Sequence, residues 1–455
     1  MAGTDRGPEP PSVDVRAFLD NARFGGYQKL LLALCFLTVF FDGFDVQAVA
    51  VAAPQLRVAM NLQAAELGVI FAAGSLGAIV SAFALSTFAD RVGRRPLMIG
   101  SLAISGLLSF CYVIAEGFLH LLILRMVAGF TLAVAVTMAY TYSAELAPKR
   151  AAATAVMVTS VGYGLGVAAT GFLSGAMIPA WGWQSVFYFG GGGTMLLAAL
   201  LFFALPESVR VEALRPGREQ RIAAFLRRVD PAADFPPGQR FHLDEEAKPG
   251  PVFGNLLSEG RLLPAVALWV SAFFINFVIY IFMQWLPSMV SQAGGGAGQA
   301  GGAVGWFKVG GIVGSFVLAA YIDRRSNPYP ALSLFVLLSA ATLLALSAMS
   351  PTFAGFIVAV ALAGVCLGGP QYAWNALVAR LFPTYVRAGG MAVYAGVSRT
   401  GAMTGPLVVG FLLQVGWTNQ DIFHAAIAPV LLAAAIAAGL WKRERAVAAR
   451  ARAAA

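Results

Sequence analysis

The stretch Phe41-Asp42-Gly43-Phe44-Asp45 lies inside a long apolar run near the start of the chain. That run is long enough to cross a bilayer, since about 20 apolar residues rising 1.5 Å each span the hydrocarbon core. Residues three apart share a face of a helix, so Asp42 and Asp45 point the same way. An ionised aspartate at mid-membrane costs at least ~2.5 kcal/mol on insertion scales. This face therefore needs a water-filled cavity, a cationic partner or a proton, and we interpret it as a proton-linked binding site.

The composition agrees with a membrane protein. The chain is 59% hydrophobic and 12% charged, whereas a soluble domain carries about 25% charged residues. This predicts an all-α integral membrane protein with twelve transmembrane helices. The apolar runs lie near residues 27–54, 65–88, 97–116, 119–143, 152–177, 184–205, 263–290, 302–322, 330–349, 353–378, 389–414 and 421–441.

The net charge of +9 is a signal of topology, because the basic residues are confined to alternate loops. The opposite loops are nearly free of them, with Arg57 as the main exception. Cytoplasmic loops carry the excess of Lys and Arg, so both termini should be cytoplasmic and nucleic-acid binding is not expected. The basic loops contain Arg91, Arg94 and Arg95; Lys149 and Arg150; the central segment; Arg324 and Arg325; Arg387; and the tail from Lys442.

One long hydrophilic segment divides the runs into two sets of six. Its part from Glu219 to Val229 has the pattern of an amphipathic helix that would lie on the membrane surface, but we favour a solvated linker between two halves. The expected organisation is a cytoplasmic N-terminal tail (1–26), an N-terminal six-helix bundle (27–205), a cytoplasmic central loop (206–262), a C-terminal six-helix bundle (263–441) and a cytoplasmic C-terminal tail (442–455).

The two halves also repeat one another. Residues 76–91 can be laid on residues 309–324, with a glycine early in each stretch and an Asp-Arg pair at each end. A duplicated unit with its site at the interface of the repeats is typical of transporters. We therefore predict two pseudo-symmetric six-helix bundles.

The stretch Asp90-Arg-Val-Gly-Arg-Arg95 resembles the loop between helices 2 and 3 of the major facilitator superfamily, although Ser86 stands where that pattern opens with glycine. The resemblance implies a cytoplasmic latch that steadies the outward-open state. We expect Glu145 to join a charge network there with Arg387 and Arg91. The full set of latch candidates is Asp90, Arg91, Gly93, Arg94, Arg95, Glu145, Asp323, Arg324 and Arg387.

Within that superfamily, Asp42-Gly-Phe-Asp45 is similar to the helix 1 signature of the aromatic acid:proton symporter family. The resemblance implies import of an aromatic carboxylate, such as a hydroxybenzoate, coupled to proton entry. Other stretches that fit the family are Tyr163-Gly-Leu-Gly166, Gly182-Trp-Gln-Ser-Val-Phe187, Leu205-Pro-Glu-Ser208, Trp285-Leu-Pro287 and Gly396-Val-Ser-Arg-Thr-Gly-Ala-Met-Thr-Gly-Pro406.

The candidates for proton coupling are Asp42, Asp45 and Arg125. Burial and a like charge both disfavour a second negative charge, so one carboxyl should exchange a proton near neutral pH; which one is left open. The alternative is a structural pair held by backbone groups. The family pattern gives Arg125 a role in proton transfer or in pairing with these carboxylates, and its alternative is to snorkel outward.

The first candidate for binding the substrate anion is Arg399, about ten residues into the eleventh apolar run. A guanidinium offers a planar fork that suits a carboxylate, and the alternative is a permanent ion pair with one aspartate. Lys308 would either add a second cation or snorkel to the near surface. For the aromatic ring the candidates are Asn276, Tyr280, Gln371, Tyr372, Trp374 and Asn375, whose amide, phenol and aromatic groups suit hydrogen bonding and stacking.

Other chemistries find little support. The three histidines are scattered and form no metal or catalytic cluster. No Gly-Lys-Ser/Thr phosphate loop is present, so ATP is not expected to supply the energy. We predict a monomeric inner-membrane symporter that is not an enzyme and uses no cofactor besides protons. The alternatives are a proton-coupled exporter of the same superfamily and, with less support, a membrane sensor.

Overall fold

The structure is a computed structural model that describes most of the chain. Twelve long helices make up most of what it describes, and they are labelled α1 to α12 below. The described residues are 12–213, 215, 217–236, 238–243, 261–324, 328–350, 354–382 and 384–454, and the backbone alone is described at 85–91, 323, 372, 375–376, 379–380, 384–385, 388, 444 and 447–454.

The first six helices form the N-terminal half. They are α1 (Gly26–Ala59), α2 (Ala64–Val92), α3 (Arg94–Cys111), α4 (Phe118–Leu146), α5 (Lys149–Trp181) and α6 (Gln184–Ala204). Residues with positive φ lie between several of these helices. Gly182, with φ of +77°, lies between α5 and α6.

The second six helices form the C-terminal half. They are α7 (Leu262–Gln292), α8 (Ala297–Arg324), α9 (Tyr329–Ala348), α10 (Ala354–Leu381), α11 (Thr384–Gln414) and α12 (Asn419–Ala454). Over the described residues, eleven of the twelve contain a stretch long and apolar enough to cross a bilayer. The exception is α11, which carries Arg387 and Arg399 and packs against α2 and α7.

The packing follows the internal repeat of the sequence. In the first half α1 lies against α5 and α2 lies against α4; in the second, α7 lies against α11 and α8 against α10. The same pairing thus recurs six helices later, which confirms the predicted duplication. The halves meet mainly through α2 with α11 and α5 with α8.

These contacts between halves close one end of the bundle. We call the end where α1 begins and α12 finishes the terminal end, and the opposite one the far end. A Cβ on Gly68 of α2 would lie 2.9 Å from the Pro406 carbonyl oxygen of α11. A Cβ on Gly171 of α5 would lie 2.6 Å from the Gly301 carbonyl oxygen of α8. The missing side chains let the helix backbones touch there, so the two halves are in close contact at the far end.

The N-terminal segment is not a free tail where it is described. Strand β1 (Val13–Asp14) pairs in parallel with strand β2 (Phe241–His242) of the central segment. The following helix Val15–Asn21 buries Val15 and Leu19, which lie one turn apart on the face that meets the bundle.

The central segment also folds onto the N-terminal half, so the expectation of a solvated linker is wrong for the described part. The helix Glu219–Val229 buries Phe225 and Leu226 in the same apolar cluster as Leu31 and Leu34 of α1. Its apolar face is covered by protein, which removes the reason for it to lie on a lipid surface. The remaining short elements are the helix Val209–Ala213 and the 3-10 turn Tyr112–Ile114.

The last helix runs past its apolar part. The sequence predicts a separate tail after residue 441, but α12 continues to Ala454. Alanine and arginine have high helix propensity, and no glycine or proline follows Gly439 to interrupt the helix.

Candidate substrate and proton site

Asp45 lies at mid-depth on α1 and points into the N-terminal half. Its carboxylate accepts a hydrogen bond from the Ser109 hydroxyl of α3 at 3.1 Å, and its side chain is buried. Its other oxygen lies 3.5 Å from Nη1 of Arg125 on α4. The charge of Asp45 is therefore matched within its own half.

Arg125 is fixed inside the same half and does not snorkel outward. Besides the ion pair with Asp45, its guanidinium donates to the backbone carbonyl of Val46 at 3.0 Å. Only 2% of the residue is exposed. Gly74 of α2 leaves the space that it occupies, because a Cβ there would lie 2.7 Å from Nε of Arg125. Of the two roles that the family pattern allows, pairing with a helix 1 carboxylate is the contact observed.

Asp42 lies one turn before Asp45 in a different setting. Its side chain is half-buried, and it lies within electrostatic reach of Arg399 and Arg125. Among the described side chains it forms no ion pair. Gly43 allows α5 to pack closely against α1 next to Asp42, because a Cβ on Gly43 would lie 2.2 Å from the Tyr163 carbonyl oxygen. The two carboxyls thus differ in their surroundings. Asp45 is buried and bonded to Ser109 and Arg125, whereas Asp42 is only half-buried.

Arg399 lies half-buried on α11 at the interface between the halves. Its Nη1 donates to the backbone carbonyl of Ala78 on α2 at 3.0 Å. Within the described part of the chain it has no carboxylate at ion-pair distance, so the permanent ion pair with an aspartate is absent. Its remaining N–H donors are available for an anion at this interface.

Lys308 of α8 faces the same interface. It is 7% exposed, and its Nζ lies 5.2 Å from the centroid of the Tyr163 ring on α5. An ammonium over an aromatic face is a cation–π contact. Lys308 therefore does not snorkel to the surface. Its position fits the other predicted role, that of a second cation for the substrate anion. The Tyr163 hydroxyl in turn lies 3.3 Å from the hydroxyl of Tyr280 on α7.

The candidate amides of α7 and α10 bind one another. Gln371 donates to the Asn276 side-chain oxygen at 2.9 Å, and Asn276 donates to the Ala272 carbonyl at 2.9 Å. Trp374 is fully buried, and among described groups its indole N–H has no hydrogen-bond acceptor. The other two ring candidates, Tyr372 and Asn375, lie outside the described side chains.

A contact that sequence reasoning missed closes the far end above this site. Pro287 has no N–H, so it leaves the Met283 carbonyl of α7 without its helical donor. Gln47 of α1 replaces that donor, with its Nε2 at 2.8 Å from the Met283 oxygen. A buried glutamine in an apolar run and a proline inside the opposite helix were the signals available in the sequence.

At the terminal end, Arg94, Arg95 and Glu145 are bonded within the N-terminal half. The Arg94 guanidinium pairs with Glu145, and Glu145 also accepts from the Ser208 hydroxyl at 2.7 Å. Glu207 accepts from the backbone N–H groups of Arg94 and Arg95 at 2.9 and 3.1 Å, and so caps α3.

Gly93, the loop residue just before α3, is held in the left-handed region with φ of +103°, which favours glycine. A Cβ there would also lie 2.5 Å from the Glu207 carboxylate. The loop conformation and the capping carboxylate therefore both require glycine at this position.

The other latch candidates do not join that network. The sequence predicts a charge network of Glu145 with Arg387 and Arg91, but Arg387 is exposed and donates to the Phe382 carbonyl at 3.2 Å. Glu145 instead binds Arg94, which lies in its own half. Arg324 is exposed, and the side chains of Asp90, Arg91 and Asp323 lie outside the described part.

Sequence comparison connects this arrangement with known transporters. The profile of the Major Facilitator Superfamily matches residues 35–352 and 296–455 in two overlapping matches. A gallate transporter of Pseudomonas putida is 34% identical over 94% of this chain and 95% of its own length. A 4-hydroxybenzoate transporter of Pseudomonas aeruginosa is 31% identical over 94% and 96%. A 3-(3-hydroxy-phenyl)propionate transporter of Escherichia coli is 32% identical over 90% and 92%.

Solved structures share the fold. A D-xylose-proton symporter superposes with a TM-score of 0.71 at 16% identity, covering 92% of this chain and 98% of that one. A bacterial homologue of the human lysosomal transporter Spinster, in an inward-facing conformation, gives a TM-score of 0.69 at 16% identity, with 90% and 96% covered. At these identities the likeness extends to the architecture alone.

Proposed function

We propose that this chain, which belongs to the Major Facilitator Superfamily, imports an aromatic carboxylate together with protons by alternating access. Its similarity to transporters of aromatic acids supports the substrate class. The observation that carries the proposal is the division of charge across one mid-depth interface. Asp42 and Asp45 lie on the N-terminal side of it, and Arg399 and Lys308 lie on the C-terminal side.

In this proposal the C-terminal cations bind the substrate carboxylate. Among the described groups, Arg399 is held by a backbone carbonyl and Lys308 by an aromatic ring, and both of these partners are neutral. A carboxylate is a stronger partner than either, because charge-assisted hydrogen bonds are roughly twice as strong as neutral ones. The aromatic ring would then extend toward α7 and α10, where Tyr280 and Gln371 lie.

Asp42 is the proposed proton carrier and Asp45 its scaffold. A mobile proton needs a carboxyl that both water and neighbouring charges can reach, which describes Asp42 better than Asp45. Entry of one proton with one monovalent anion leaves the net charge of the buried cluster unchanged. Moving both together therefore avoids the cost of burying an uncompensated charge.

The bias of basic residues supports a cytoplasmic terminal end in an inner membrane. The close contacts between the halves at the far end, through Gln47 and the glycines, support a state that faces the cytoplasm. In this proposal the two six-helix halves rock about the central site, so that one end of the bundle opens as the other closes. We further propose that the protein acts as a monomer and needs no cofactor besides protons.

Uptake into proteoliposomes tests the proposal. The purified protein is reconstituted, and accumulation of benzoate, hydroxybenzoates, phthalates and gentisate is followed with and without an inward proton gradient. We expect the gradient to drive accumulation of at least one monocarboxylate and a protonophore to abolish it. Uptake that ignores the gradient would refute symport, and gradient-driven export of cationic compounds would favour an exporter.

A further inference from the structure

Two phenol hydroxyls meet at the centre of the molecule from opposite halves. The Tyr163 hydroxyl of α5 and the Tyr280 hydroxyl of α7 lie 3.3 Å apart, and both side chains are half-buried. This contact is long for an O–H···O bond, which is usually about 2.7–2.8 Å. The pair is therefore loosely joined.

The pair has hydrogen-bonding capacity to spare. Each phenol has one O–H donor and can also accept. The contact between them uses one donor, and among the described groups neither hydroxyl has a second hydrogen-bond partner. A third hydroxyl beside the pair would complete a ring in which each oxygen donates to one neighbour and accepts from the other. Such a ring leaves no buried donor unsatisfied.

The neighbours of the pair are the groups that would hold a carboxylate. Lys308 lies over the Tyr163 ring, with Nζ 5.2 Å from its centroid. Arg399 lies within electrostatic reach of the Tyr280 hydroxyl, as do Asp42 and Arg125 of the other half. A molecule with a carboxylate at one end and a hydroxyl on its ring matches cations beside a pair of phenols.

We propose that Tyr163 and Tyr280 form the subsite for a ring hydroxyl, so that these two residues set the preference between hydroxylated and unhydroxylated aromatic carboxylates. This inference rests on the proposed function and adds the selectivity of its site. A site built to bind a hydroxyl rejects an analogue that lacks it, because its own polar groups are then left unpaired. Since the two phenols come from opposite halves, the hydroxyl would also join the halves in the loaded state.

The experiment compares 4-hydroxybenzoate with 4-methylbenzoate, which has a methyl group in place of the hydroxyl. Binding to the purified wild-type protein is measured by calorimetry, and uptake is measured in proteoliposomes under one fixed proton gradient. We expect wild type to prefer the hydroxylated acid. Tyr163→Phe and Tyr280→Phe should each lower that preference by roughly 5- to 150-fold, the effect of leaving one buried hydrogen-bonding group unpaired, and should change binding and uptake of 4-methylbenzoate much less.

Tyr188→Phe is the matched control, because Tyr188 is 54% exposed on α6, away from the pair. Equal binding of the two acids by wild type would overturn the inference, and that result needs no variant to fold. An unchanged preference in both Phe variants would overturn it as well, as would an equal loss for both acids. If neither acid is accumulated by wild type under any gradient, the proposed function fails instead.

Discussion

The two halves of the molecule share a fold but handle charge in opposite ways. In the N-terminal half, Asp45 and Arg125 neutralise each other inside the bundle. In the C-terminal half, Arg399 and Lys308 have no such partner among the described side chains of their own half, and both rest on groups of the other half. The charge pair of the N-terminal half lies within one bundle. The contacts of Arg399 and Lys308 cross the interface, so they must break when the halves move apart.

This difference assigns separate tasks to the repeats of a duplicated fold. A charge pair buried within one bundle survives a rigid-body motion, so it is suited to a scaffold. A cation that bridges the interface responds both to the motion and to an incoming anion, so it is suited to substrate binding. The variants below test that division, beginning with the largest expected effect.

Breaking the N-terminal pair should harm stability most. Arg125→Met leaves Asp45 buried without its cation, which typically costs about 3–5 kcal/mol. We expect a clear fall in the thermal midpoint in detergent, measured by tryptophan fluorescence, and much of it should return in Arg125→Met/Asp45→Asn. Arg324→Met, at an exposed position, is the control. A stable single variant would show that the pair is not a scaffold.

The two aspartates should separate in function. Asp42→Asn is expected to abolish gradient-driven accumulation but to keep substrate counterflow and the wild-type thermal midpoint, because Asp42 has no fixed partner among the described side chains. Asp45→Asn should also abolish accumulation and in addition lower the midpoint, since Arg125 is then unpaired. Uptake, counterflow and unfolding are measured on the same preparations. Accumulation that persists in Asp42→Asn would remove Asp42 from the carrier role.

The C-terminal cation should discriminate by substrate charge. Arg399→Ala is expected to weaken binding of 4-hydroxybenzoate by about 10- to 150-fold, the usual worth of a charge-assisted hydrogen bond of 1.5–3 kcal/mol. Binding of the neutral 4-hydroxybenzamide should change much less. Arg387→Ala, an exposed arginine of the same helix, serves as the control. Equal losses for acid and amide would indicate that Arg399 is structural.

The smallest effect is expected at the far-end closure. Gln47→Leu removes a donor worth about 1 kcal/mol and should shift the equilibrium modestly toward an open far end. In Pro287→Ala the helix supplies its own donor to the Met283 carbonyl, so Gln47→Leu should then have little effect. Crosslinking between cysteines placed at Gln63 and Gln414, which are in contact at the far end, reports the closed population. Additive effects of the two changes would contradict the freed-carbonyl explanation.

The sequence predicts the architecture well, because long apolar runs and basic loops are local signals. Twelve helices, the duplication and the mid-depth position of Asp42 and Asp45 all follow from them. Contacts between distant segments are not local, and several predictions fail there. The packing of Val15–Asn21 and Glu219–Val229 on the bundle is one case, and the pairing of Glu145 with Arg94 is another.

The inequality of the two aspartates also lies beyond sequence spacing. A separation of three residues places Asp42 and Asp45 on one helix face, but it does not say which of them meets Ser109 and Arg125. That choice depends on how α3 and α4 pack against α1. The same holds for Tyr163. The sequence shows it as part of a stretch that fits the family, but its contact with the hydroxyl of Tyr280, 117 residues away, appears only in the structure.

Substrate-driven proton movement tests the coupling of the two halves most directly. Proteoliposomes with a trapped pH dye receive an inward gradient of 4-hydroxybenzoate with no initial pH difference. The wild-type protein is predicted to acidify the lumen as substrate enters, and Asp42→Asn is predicted to admit no protons although it still exchanges substrate. Substrate entry without acidification in wild type, or equal acidification in Asp42→Asn, would contradict the assignment of the proton to Asp42.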